Sequence, residues 1–82
     1  MPRIDLPGGQ YLSPAEAETL GFVLHGHKAR DVADLRGCVQ RTIYWHTDAA
    51  YRKLGIRGAL NAWRRLDDLG LLERILETAN GE

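Results

Sequence analysis

A chain of 82 residues with 44% hydrophobic and 27% charged side chains describes one soluble globular domain, near the size at which folding buries only about 60% of the surface. No apolar run approaches a membrane span, and the opening MPRIDLPGG lacks the apolar segment of a signal peptide. The single cysteine excludes an internal disulfide, and a reducing, cytoplasmic setting is expected.

Net charge is zero, but it is unevenly spread. Residues 28 to 65 hold nine Lys or Arg against three acids, a net +6, while the first 27 residues carry −2 and the stretch from Leu66 carries −4. An anionic partner is expected for the middle of the chain.

In chain order, residues 1–11 contain two prolines and the Gly8-Gly9 pair and read as a flexible arm with no fold of their own. A helix-turn-helix domain over residues 12–72 follows, and residues 73–82 read as a polar tail that frays. The first helix starts at Ser13 as N-cap, with Pro14 at the first helical position and Glu16 completing a capping box. Leu12 is placed to staple against Ala17. Leu20, Val23 and Leu24 form the buried stripe, and Gly26 ends the helix. The second helix, about Lys28 to Arg36, is expected to bury Val32 and Leu35 beside Ala33. Gly37-Cys38-Val39 makes the turn. The third helix, about Gln40 to Leu54, turns Ile43, Thr47, Ala50 and Leu54 inward, with Gly55 capping it and Ile56 returning to the core. A fourth helix, about Gly58 to Leu69, places Leu60, Trp63 and Leu66 on one apolar face. No strand pattern is visible, so the fold class is all-α with four helices.

With that stripe of the third helix inward, its outer face is Arg41, Tyr44, Trp45, Asp48 and Arg52, at i, i+3, i+4, i+7 and i+11. An exposed Tyr-Trp pair is costly in water and marks a contact surface. The plainer reading folds Trp45 onto a neighbouring helix as peripheral core. Two partners suit an exposed face. On DNA, Arg41 and Arg52 reach phosphate or guanine, Tyr44 reaches phosphate, and Trp45 packs on a thymine methyl. Asp48 accepts from a cytosine amino group or repels phosphate, and in its plainest role pairs with Arg52 four residues on. On protein, aromatic anchors flanked by Arg and Asp make a binding hot spot.

These pieces together resemble the LuxR/GerE-type helix-turn-helix domain, without gaps from Leu12 to about Ala62, roughly three fifths of the chain. Leu12-Ser13-Pro14-x-Glu16 is similar to that family's opening LTxRE, Gly26 to the glycine after its first helix, and Val32-Ala33 to its Ile-Ala. Thr42-Ile43-x-x-His46 is similar to its TVxxH, Lys53-Leu54-Gly55-Ile56 to its KLGV, and Ala62 to the alanine of its fourth helix. The resemblance implies a bacterial or phage regulator of transcription that binds double-stranded DNA as a homodimer. The third helix would then enter the major groove, and the fourth, through Leu60, Trp63 and Leu66, would form the dimer contact. By position, Tyr44, Trp45 and Asp48 fall at base-facing slots, and Arg41, Thr42 and Lys53 at slots that meet the phosphate backbone. Lys28 and Arg52 complete the expected DNA-binding set from the basic segment.

The departures are specific. Val39 stands where Ser or Thr usually caps the third helix, a loss of about 1 kcal/mol. Ala15 and Ala59 replace frequent arginines. Arg36 stands where a buried leucine is usual, with Leu35 expected to take over its packing. Asp48 occupies a slot that is often basic. No receiver or ligand-binding domain accompanies the motif, so a stand-alone regulator is expected, or a module of the same fold that binds or inhibits another regulator protein. His25, His27, His46 and Cys38 lack zinc-ligand spacing, and no nucleophile-base pair or phosphate-cradling loop occurs. No metal, cofactor or enzyme activity is expected.

Overall fold

Ser13, Pro14 and Glu16 begin the first helix as their spacing predicts. In the computed structural model, which describes residues 3–79, the Ser13 hydroxyl accepts from the Glu16 backbone N–H at 3.1 Å, and the Glu16 carboxylate accepts from the Ser13 N–H at 2.9 Å. Helix α1 runs Pro14–Leu24, α2 Ala29–Arg36, α3 Gln40–Leu54 and α4 Ala59–Asp68. Each of these four lies where periodicity and capping residues put it. Gly37, at φ +68°, takes the left-handed conformation that turns the chain from α2 into α3, and the Cys38 N–H closes the turn on the Ala33 carbonyl at 2.9 Å. At the end of α3, Ile56 returns to the core as expected, its N–H donating to the Tyr51 carbonyl at 3.0 Å.

Both chain ends depart from the expectation. Within the supposed arm, β1 (Ile4–Asp5) pairs antiparallel with β2 (Tyr11–Leu12), with Ile4 opposite Leu12 and a 3-10 turn at Pro7–Gly9 between them. Ile4 and Leu6 are buried. Removing two such side chains from water contributes about 1.5–3 kcal/mol each, enough to order a short ribbon whose two-residue strands are too brief to show alternation. In the supposed tail, a fifth helix, α5 (Leu72–Thr78), buries Ile75 completely and is followed by buried Ala79. The domain thus has five helices among the described residues, not four, and its mostly helical fold, with one short ribbon, is consistent with the all-α expectation. Residues 1, 2 and 80–82 of the expected arm and tail lie outside the described residues.

The core has two parts. Ile4, Leu12, Leu20, Ala50, Leu54, Leu66 and Ile75 form the centre of the larger, where α1 packs between α3 and α5. Phe22, Val32, Ala33, Ile43 and Ala79 form the smaller, under α2. In α2 the expectation for Leu35 is overturned: it is 60% exposed. Arg36 holds the inward edge instead, its guanidinium paired with Glu18 of α1, so the expected leucine contact is replaced by an ion pair.

Thr19 is fully buried in α1, and its hydroxyl has no hydrogen-bond partner among the described residues. Thr19→Val keeps the shape and removes an unpaired polar group. It is expected to raise stability by about 1 kcal/mol, or about 4–8 °C in Tm for a domain of this size. An unchanged melting temperature would mean that the hydroxyl carries no penalty.

Candidate nucleic-acid interface

The outer face of α3 forms because four turns of its opposite side are committed to the core. Ile43, Thr47, Ala50 and Leu54 are all buried, and the Thr47 hydroxyl is satisfied within the helix by the Tyr44 carbonyl at 3.0 Å. Arg41, Tyr44, Trp45, Asp48 and Arg52 are therefore left outside. Trp45 is 73% exposed and Tyr44 56%, so the reading of Trp45 as peripheral core does not hold. Arg41, Thr42, Tyr44, Trp45 and Asp48 together line one shallow hollow.

The expected pair between Asp48 and Arg52 is absent. Neither side chain makes an ion pair or hydrogen bond among the described residues. Asp48 instead sits where further hollows meet. One reaches Lys28 and His27 at the start of α2, and the other reaches Arg52 and Arg57 beyond the end of α3. Between them lies half-buried Tyr51, whose phenol is pushed above its ordinary pKa by burial and then by the Asp48 carboxylate. Lys28 thus joins the α3 face from a different helix, as the basic segment suggested. Arg57 joins it too, and sequence reading passed it over. Its only signal was membership of the positive middle segment.

Lys53 does not join that face. Its ammonium lies 2.7 Å from the Glu16 carboxylate and 5.3 Å from the centroid of the Tyr11 ring, which Arg3 caps at 4.4 Å. The slot that the resemblance gives to a phosphate contact is occupied here by a cross-link between α3, α1 and the N-terminal ribbon. Burial pushes the Glu16 carboxyl up, but the Lys53 ammonium, the Ser13 N–H and the Ser13 hydroxyl outweigh it, and the pKa lies below the ordinary carboxylate value.

The expected dimer face also needs correction. Leu66 is completely buried in the core with Leu20, Leu54 and Ile75, and it has no surface to offer a second copy. Leu60 and Trp63 do remain outside, at 65% and 40% exposure. With Ala59, Val23 and Leu24 they line an apolar hollow between α1 and α4.

Among the described residues no three His, Cys, Asp or Glu side chains converge as a metal site would require, and no helix is long and apolar enough to cross a membrane. Comparison with models of protein families, with curated proteins and with solved structures finds no match to the chain. The face of α3 has to be interpreted from its own chemistry.

Proposed function

We propose that the chain binds double-stranded DNA through the outer face of α3 and acts in transcription regulation. One observation carries this reading: an exposed stripe of two arginines, two aromatics and one acid on the second helix of a helix-turn-helix, with Lys28 and Arg57 brought to its edges from outside the helix. A helix of this width enters the major groove, where arginines meet phosphate and guanine and rings meet thymine methyls. The motif series from Leu12 to Ala62 supports the same conclusion, and LuxR/GerE-type regulators are the class it points to. Pairing of two copies through Leu60 and Trp63 belongs to the proposal, because half-sites on DNA are read by paired recognition helices.

A salt series on random-sequence duplexes, with oligomeric state measured on the same sample, tests it. Affinity should fall steeply as salt rises. Arg41→Ala and Arg52→Ala should weaken binding to every sequence and each lower the salt slope by about one. Should a folded protein retain no duplex at low salt, the reading fails, and retention of a protein partner through Trp45 in its place would favour the interaction module.

A further inference from the structure

Asp48 is the one acid on the α3 face, and the fold does not account for it. It is exposed and caps no helix, and it has no ionic or hydrogen-bond partner among the described residues. Asp48 borders three hollows that cations also line: Arg41 one, Lys28 a second, and Arg52 with Arg57 a third. For a surface that only follows phosphates, a central carboxylate is a defect, since it repels them. On a surface that enters the major groove, it has one good use.

A carboxylate only accepts hydrogen bonds, so the base edge decides the outcome. Guanine shows two acceptors in the major groove, and thymine shows an acceptor and a methyl. Adenine offers its amino group, but the N7 lone pair stands beside it and repels a carboxylate. Cytosine offers an amino group with a C–H at that side. Only cytosine gives Asp48 a donor with no acceptor beside it on the same base. Resting on the DNA-binding reading above, we infer that Asp48 selects a cytosine by accepting from its N4 amino group, and so sets the sequence that α3 prefers.

The placement along the helix fits a central base contact. Arg41 lies seven residues before Asp48 and Arg52 four after it. At 1.5 Å per residue these are separations of about 10 and 6 Å along the helix. The Asp48 carboxylate is thus bracketed along α3 by two guanidinium groups able to take guanine or phosphate beside the cytosine.

The test is selection from a pool of random-sequence duplexes at low salt, with sequencing of the bound fraction, for the unmodified protein, Asp48→Asn and Asp48→Ala. Because the side chain is exposed, neither substitution disturbs the core. The unmodified protein should enrich one C·G position about ten-fold or more. Asp48→Asn should move that position to A·T, because an amide both accepts from N6 and donates to N7. Asp48→Ala should lose the preference there and bind mixed DNA several-fold more tightly. The same enriched base pair in unmodified protein and Asp48→Asn would overturn the inference while leaving DNA binding intact. Uniformly tighter binding by Asp48→Ala with unchanged preference would also overturn it, by making Asp48 merely repulsive. If a folded, unmodified protein retains no duplex, the underlying reading falls and takes this inference with it.

Discussion

Gly21→Ala is expected to destabilise the domain by about 1–2 kcal/mol and to loosen α5, although the same change in an isolated helix would stabilise it. Two effects oppose each other. Alanine gains about 0.5–1 kcal/mol over glycine in a helix interior. Against this, a Cβ on Gly21 would stand 2.5 Å from the Ile75 carbonyl oxygen, 2.8 Å from the Ala79 Cβ and 3.0 Å from the Thr78 hydroxyl oxygen. The first of these is backbone and cannot rotate away. Forcing a methyl into such a contact costs about 1–3 kcal/mol or more, so the clash wins. The crossing is further clamped by His25, whose Nε2 lies 2.8 Å from the Leu76 carbonyl oxygen, and by the Thr78 hydroxyl, 3.2 Å from the Ala17 carbonyl oxygen. Gly21→Val, which adds two more methyls, is expected to cost more still. Hydrogen exchange on the variant separates the causes: α5 amides should lose protection while those of α2 and α3 largely keep theirs. A rise in melting temperature for Gly21→Ala would mean that α1 and α5 do not approach so closely.

Gly21 also marks where sequence reading stops. The four middle helices were legible because their signals are local: Ser13, Pro14 and Glu16 lie within one turn, Gly37 and Gly55 sit at the ends they terminate, and Ile43, Thr47, Ala50 and Leu54 keep helical spacing. The outer face of α3 followed from that spacing alone, and its five residues are exposed together. The chain ends were not legible in this way. Ile4 and Leu6 are ordered by a core built from residues up to Ile75, and α5 is held by a glycine some fifty positions earlier. Neither β1 nor α5 carries a cap or pattern strong enough to stand alone; no side chain caps α5 at all. The same limit applies to individual side chains. Leu60 and Leu66 are expected on one broad apolar face, yet they stand about 120° apart around α4; Leu66 shares the side of buried Ala62, against α1 and α5, and Leu60 is left in water. Arg36 and Lys53 look like free surface cations until their acids, Glu18 and Glu16, arrive from α1.

Lys53 and Glu16 give the second large effect. Glu16→Ala is expected to cost about 2.5–4 kcal/mol. It removes half of a capping box, worth about 1 kcal/mol, and leaves the half-buried Lys53 ammonium without its charged acceptor, worth about 1.5–3 kcal/mol where solvent screens little. Glu16→Gln isolates the charge, since glutamine still completes the box. The folded carboxyl titrates below its unfolded counterpart, so its contribution is present above the unfolded pKa and is lost as pH falls through the folded one. The stability gap between the unmodified protein and Glu16→Gln should be full at neutral pH and close as pH falls through the ordinary carboxylate value and then through the lower, folded one. A gap that stays constant across that range would mean that the ion pair contributes nothing. Lys53→Ala then distinguishes a structural cation from a phosphate contact. Held by Glu16 and Tyr11, Lys53 should lower the melting temperature when removed and leave the salt slope of the proposed DNA binding unchanged. A variant that melts normally but binds duplex with a smaller slope would return Lys53 to the interface that its motif position implies.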